Sequence, residues 1–271
     1  MKKKIIIFLL FALLVYIIVG LKNNLKITRY DYRNSKIPAA FDGYKILQIS
    51  DLHCKSFGSE QSELIRKIQA CRPDIIVLTG DIVDSEHSSV KPVYDLIAGL
   101  DRQYPIYYVT GNHELEPAAA DIYNDMLDIF QSYGVVLLDD QMVSLEKDGE
   151  TIFLYGQQFR SHYVADYLEQ VDETAFNILL YHGSNFFNKI APFHYDLVFS
   201  GHLHGGVIRL PLFGGLLSPD ITFFPDYDKG MYTRSGSTLI VSAGLGNTNL
   251  PRFYNDPEIV LVTLHTSPSA H

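Results

Sequence analysis

Five short apolar runs in this chain each end in a turn whose side chains can bind a cation. KILQIS leads into Asp51 and His53, DIIVLTG into Asp81, PIYYVT into Asn112 and His113, NILLY into His182, and DLVFSG into His202 and His204. Runs of this length, rich in Ile, Val and Leu, read as strands buried on both faces. Amphipathic stretches separate several of them: SEQSELIRKIQAC, with Ser59 as a candidate N-cap, KPVYDLIAGL, and PAAADIYNDMLDIFQSYG, stopped by Gly134. Strands alternating with helices predict an α/β layered fold. In open α/β sheets ligands bind beyond the carboxyl ends of the strands, which is where these polar turns fall. Five of the ten histidines lie in them. One histidine at a strand end is ordinarily a cap or a surface residue, but five such turns on one edge imply a shared ligand.

The remaining pattern extends the sheets. VVLL is followed by MVSLEKDGETIFLYGQ, where Asp148–Gly149 marks a hairpin turn, and STLIVSAG and IVLVTL supply further strands. Two adjacent sheets with helices outside use all of them. Upstream, LKITRYDYR alternates like an edge strand and NSKIPAAFDG reads as a linker. The segment VIRLPLFGGLLSPDITFFPDY is apolar but broken by Gly and Pro, which predicts a loop. Its apolar side chains either cover a second hydrophobic cluster or form an apolar lip for acyl chains or a membrane surface.

Ahead of this lies an unbroken apolar run from Ile5 to Leu21, preceded by Lys2, Lys3 and Lys4. Its seventeen residues span roughly 26 Å as a helix, close to a hydrocarbon core of about 30 Å. Ile18 and Gly20 make a poor cleavage site, so the run reads as an uncleaved single-pass anchor in the cell membrane. The lysines before the span favour a cytoplasmic N-terminus and an extracytoplasmic catalytic domain. Lys22, Lys26, Arg29, Arg33 and Lys36, after the span, argue the other way unless they belong to a folded strand. The chain has 22 Lys+Arg against 31 Asp+Glu, a net charge of −9, which disfavours a grip on long nucleic acid through its phosphates. Cys54 and Cys71 form no metal-type pair.

Asp51, His53, Asp81, Asn112, His182, His202 and His204 offer carboxylate, amide and imidazole donors and no thiolate. Such a set suits Mn, Fe or Zn and disfavours a thiolate-type structural zinc. Seven donors are too many for one small transition ion, whereas two divalent ions sharing a carboxylate would use them, with Asp81 as the natural bridge. A pair of ions clamps a phosphoryl group and acidifies a bridging water, whose hydroxide attacks phosphorus in line. In a tightly turned GHLHGG, alternate side chains face one way, so His202 and His204 can reach one ion each while Leu203 points inward.

In this order and spacing, DLH, GD, GNHE, a histidine after a strand, and GHLH resemble the calcineurin-like metallophosphoesterases over about residues 45–206. IPAAFDGYKILQISDLH and LPRFYNDPEIVLVTL resemble the membrane-associated bacterial branch, which includes enzymes similar to UDP-2,3-diacylglucosamine hydrolases. The resemblance implies a four-layer α-β-β-α sandwich over 45–271, after an anchor over 1–21 and a linker with an edge strand over 22–44. It implies one ion on Asp51, His53, Asp81 and His204, and another on Asp81, Asn112, His182 and His202. His113 would be a non-ligand histidine that bonds the phosphoryl oxygen or protonates the leaving group. Leu203 stands where many relatives carry Thr. The implied activity is hydrolysis of a phosphodiester, pyrophosphate or phosphomonoester, in a lipid-linked or nucleotide-sugar substrate. The alternative is a non-catalytic metal-binding or scaffold protein that keeps the fold. Asp84 and Glu114 are candidates to orient a ligand imidazole, and Arg209 and Arg252 to pair with substrate phosphate or with carboxylates.

Overall fold

Ile46 and Leu47 lie on opposite faces of one strand, and both are fully buried. The same is true of Ile76 and Val77 in a neighbouring strand. A sheet covered on both sides is the result, within a four-layer α-β-β-α sandwich. The computed structural model describes residues 2–247 and 250–267.

The chain opens with helix α1 (Lys2–Leu21) and strands β1 (Lys26–Asn34) and β2 (Lys45–Ile49). Helices then alternate with strands: α2 (Ser62–Cys71), β3 (Ile75–Thr79), α3 (Lys91–Leu100), β4 (Ile106–Val109), α4 (Ala120–Tyr133), β5 (Val136–Leu137). The second half holds β6 (Gln141–Lys147), β7 (Glu150–Gly156), β8 (Asn177–Gly183), α5 (Phe187–Ile190) and β9 (Leu197–Gly201). It ends with β10 (Ile208–Leu210), β11 (Gly214–Leu217), β12 (Gly230–Arg234), β13 (Ser237–Val241) and β14 (Glu258–Thr266). One six-stranded sheet has the order β1-β14-β2-β3-β4-β5, the other β12-β13-β9-β8-β7-β6. β2, β3 and β4 are parallel, as are β7, β8 and β9, so their carboxyl ends line up within each sheet.

Three apolar layers hold these elements. Between the sheets, Ile46, Val77 and Val109 meet Leu154, Ile178, Leu180 and Phe199. Outside the first sheet, Leu47 and Leu78 pack with Leu64 and Ile68 of α2, Leu96 of α3 and Phe130 of α4. Outside the second, Leu179 and Val198 meet Phe187 and Ile190 of α5. Each such side chain contributes about 1.5–3 kcal/mol on burial. Gln48 ties the sheets together beside the polar turns: its Nε2 donates to Thr79 Oγ1 and to the Ser200 carbonyl, both at 2.9 Å.

Two local expectations are corrected. Ser59 does not cap α2; it opens a short 3-10 turn, and no side chain caps the helix. Gln61 organises that turn instead, accepting from Phe57 N–H at 2.8 Å and donating to the carbonyls of Lys55 and Pro92. Residues 207–227 are not all loop, because β10 and β11 pair as an antiparallel hairpin. The hairpin satisfies backbone groups that an apolar loop would leave exposed, and Ile208 bridges further to Phe253. The DG turn forms as read, with Asp148 and Gly149 at φ +50° and +81° between β6 and β7.

Helix α1 is long and apolar enough to cross a membrane. Apart from Gly20 its described residues are exposed. Gly20 is buried against the rings of Phe253 and Tyr254, where a Cβ would clash. The Tyr16 ring lies 5.7 Å from Phe253 and 4.9 Å from Tyr254, and Tyr254 donates its hydroxyl to the Tyr16 carbonyl at 3.0 Å.

Candidate metal centre

The polar turns of both sheets open on one cleft of about 300 Å³, lined in part by His53, Asp81, Asn112, His113, His202 and His204. Asp51 and His53 follow β2, Asp81 follows β3, and Asn112 and His113 follow β4. His182 still belongs to β8, and His202 and His204 follow β9. The backbone is forced there: Asp51, His53, Asp81, His202 and His204 all have positive φ, between +47° and +79°. Such conformations cost non-glycine residues on the order of 1–3 kcal/mol and gather at functional sites.

The GHLHGG turn is closed by Leu203 N–H to the Gly201 carbonyl (3.0 Å) and Gly206 N–H to the Leu203 carbonyl (2.7 Å). Leu203 is buried while the two imidazoles diverge to different neighbours. Asp51, His53 and His204 can converge on one ion; Asp81, His182 and His202 can converge on another. His204 Nε2 is 3.2 Å from His53 Nε2 and 3.4 Å from Asp51 Oδ1. His182 Nε2 is 2.9 Å from Asp81 Oδ2, and that same oxygen is 3.9 Å from His53 Nε2 and 4.0 Å from His113 Nε2. Asp81 therefore stands between the two groups. Gly201 makes room for this packing, since a Cβ there would collide with Ser50 Oγ and the Asp51 carboxylate.

Neighbouring acceptors aim the imidazoles. Thr79 carbonyl accepts from His182 Nδ1 at 2.7 Å, and Asp84 Oδ2 lies 2.9 Å from His53 Nδ1, so each ring turns Nε2 to the centre. Asp84 thus acts as the imidazole acceptor suggested by its place after Asp81. Glu114 does not. It is buried and accepts backbone N–H groups instead: Asp81 at 2.9 Å, Ile82 at 2.6 Å and Gly111 at 2.8 Å. It welds the GD and GNHE turns together. Burial, then the Asp81 charge, push its carboxyl up to about 7.

The electrostatics fit cations. Asp51 and Asp81 are buried, and among the described residues their ion-pair partners are histidines alone. Asp51 Oδ2 and Asn112 Oδ1 are buried without a hydrogen-bond partner among the described residues. Isolated carboxylates in such surroundings cost several kcal/mol each, which divalent cations would offset. Burial would raise the Asp81 carboxyl, but His182, His53 and His113 hold it well below the usual range. Burial, then His182, push the His202 imidazole down to about 4. Burial, then His53 and Arg252, hold the His204 imidazole well below its usual range, which favours neutral rings open to metal.

Of the two candidate arginines, one takes an expected role, the pairing with a carboxylate. Arg209 pairs with Asp228 at 2.7 Å. Arg252 is buried behind the site, donating to the carbonyls of Gly246 and Ala243 and reaching His204 Nδ1 at 3.4 Å. Among the described residues it forms no ion pair with a carboxylate. Burial, then Asp84, push the Cys54 thiol up to about 12, so it is inert. Sequence reasoning passed over Phe159, whose ring lies 5.8 Å from His182 and 5.4 Å from His202. It also passed over Glu116, whose Oε1 is 2.9 Å from His113 Nδ1. Phe159 follows β7, so the rule that drew attention to the other strand ends points to it as well. Glu116 carries no comparable signal.

A mixed α/β sandwich with clustered Asp and His donors at its strand ends defines a metal-dependent hydrolase of phosphoric esters. The calcineurin-like phosphoesterase family matches residues 44–206, and the chain belongs to that family. It is 32% identical to the uncharacterized metallophosphoesterase YkuE of Bacillus subtilis, over 89% of this chain and 85% of the relative. It is 24% identical to the UDP-2,3-diacylglucosamine pyrophosphatase LpxG of Chlamydia muridarum, over 89% of each chain. Among solved structures, TT1561 of Thermus thermophilus superposes with a TM-score of 0.49 at 12% identity, covering 74% of this chain and 89% of that one.

Proposed function

We propose that this chain is a membrane-anchored phosphoesterase with two divalent cations, acting on a lipid-linked phosphodiester or pyrophosphate. The observation that carries the reading is the pair of donor groups meeting at the Asp81 carboxylate. Asp51, His53, Asp81 and His204 would hold one cation, and Asp81, Asn112, His182 and His202 the other. Bound there, Mn, Fe or Zn would supply Lewis-acid polarisation of the phosphoryl group and a hydroxide at neutral pH. The chain's own residues do the rest. Asp84 and the Thr79 carbonyl hold two imidazoles in register. His113, one-third exposed and set against Glu116, faces the cleft as donor to a phosphoryl oxygen or to the leaving group.

The lipid-linked class is supported by the span-length helix α1 and by the substrate named for the Chlamydia relative. An extracytoplasmic domain is supported by Lys2, Lys3 and Lys4 before the span. Of the five cations after it, Lys26, Arg29 and Arg33 belong to folded strand β1, whereas Lys22 and Lys36 lie outside it. The test is turnover of bis-p-nitrophenyl phosphate and p-nitrophenyl phosphate by the metal-supplemented full chain in detergent. Asp81→Ala is expected to lose bound metal and turnover together. His113→Ala is expected to keep its metal and lose about 10²–10⁴ in rate. Full rate in either variant contradicts the assignment.

A further inference from the structure

The hairpin and loop beside the cleft carry an apolar surface that nothing in the described chain covers. Leu212 is fully exposed, and Phe213, Ile221, Phe223 and Phe224 are each more than half exposed. Five large apolar side chains within thirteen residues exceed the scattered exposure of an ordinary soluble surface. Their setting identifies what covers them. Strand β10 runs beside Phe253: Ile208 bridges to it, and Arg209 N–H donates to its carbonyl at 2.9 Å. Phe253 and Tyr254 in turn pack on Tyr16 and Gly20, in the last two turns of α1. Tyr254 N–H also donates to the Gly20 carbonyl at 2.7 Å.

The apolar run of α1 ends at Leu21 and Lys22 follows, so Phe253 and Tyr254 sit at the level where a spanning α1 leaves the hydrocarbon. Aromatic side chains concentrate at that level. Leu212 is three residues beyond Arg209, whose N–H meets the Phe253 carbonyl, hence within about 11 Å of Arg209. On its other side the same loop forms the rim of the cleft through Pro219 and Asp220.

Resting on the reading of α1 as a membrane span, we infer that residues 210–224 form a second membrane contact. Leu212, Phe213, Ile221, Phe223 and Phe224 insert at the boundary between headgroups and acyl chains. Two attachments hold the mouth of the metal cleft on the bilayer surface. The substrate class that follows is an amphiphile whose phosphoester is presented at that surface without leaving the membrane.

The chain contains no tryptophan, so single substitutions report depth directly. The full chain is reconstituted into vesicles of phosphatidylcholine and phosphatidylglycerol, with phosphatidylcholine brominated at shallow or deep acyl positions. Phe213→Trp and Phe224→Trp are expected to be quenched by shallow bromines severalfold more than Met142→Trp, an exposed site on β6 at the far edge of the second sheet. Phe11→Trp, on the exposed surface of α1, is expected to be quenched by deep bromines. If position 11 is quenched and positions 213 and 224 match position 142, the second contact is refuted while the span stands. That result includes the case in which a second copy of the chain covers the lip. If position 11 is not quenched either, the span and this inference fall together.

Discussion

Single side chains decide whether the donors point inward. Asp84 accepts from His53 and, at 2.7 Å, contacts His87. Asp84→Asn is expected to weaken metal binding about 10–100-fold, read by competition with a chelator, with the fold intact. Unchanged affinity would mean that Asp84 does not orient His53. Glu114→Gln places an amide donor against backbone N–H groups. It is expected to lower stability by about 1–3 kcal/mol in chemical denaturation. Proton linkage offers a further test. Burial disfavours a charged His182, but Asp81 outweighs it and pushes the imidazole up to about 10 in the metal-free chain. An imidazole raised in this way gives up a proton to the buffer when a cation takes its Nε2 lone pair. Calorimetric loading at pH 7 should therefore release about one proton or more, seen as an enthalpy that varies with the buffer's ionisation heat. The sign for stability follows from the same shift. The metal-free His182–Asp81 contact stabilises fully between about pH 4 and 6.5; that stability is lost as pH rises towards 10 and, through Asp81, as pH falls into the acid range.

At the scale of elements, the strand ends position the site, and the hydrophobic pattern made them legible. KILQI, IIVLT and LVFSG are buried along their whole length apart from half-buried Lys45, so each could be read as a strand from composition alone. The turns that follow were legible as donors but not as geometry. The positive φ of Asp51, Asp81 and His202 is imposed by partners distant in sequence. For example, the Asp51 carboxylate accepts from His202 N–H at 2.9 Å across the two sheets. For the same reason Glu114 was misread: beside Gly111 N–H, its partners come from a turn more than thirty residues away. The β10–β11 hairpin was hidden by Gly and Pro, because its pairing with Phe253 is long-range. Gly201→Ala tests how tightly β9 and β2 are apposed. Its Cβ would strike Ser50 and Asp51. The variant should fold, yet bind metal at the Asp51–His53–His204 group more than about tenfold more weakly, a loss of at least about 1.4 kcal/mol. Wild-type affinity would show that the sheets can separate there at little cost.

Across the whole molecule, two parallel strand sets from two sheets bring donors from residues 51 to 204 into one cleft, and α1 ends packed on Phe253 and Tyr254. The four layers follow from sheets that are apolar on both faces, and this much could be read before any coordinates. The packing of Tyr16 and Gly20 on Phe253 and Tyr254 could not, because an aromatic pair in a polar loop gives no periodic signal. A dinuclear centre requires Asp81 to stand between two cations, and metal content with anomalous diffraction from crystals of the Mn- or Zn-supplemented chain measures that directly. Two ions per chain are predicted, one on each side of the Asp81 carboxylate, and both should vanish or fall to partial occupancy in Asp81→Ala. A single ion, or ions bound away from Asp81, would contradict it.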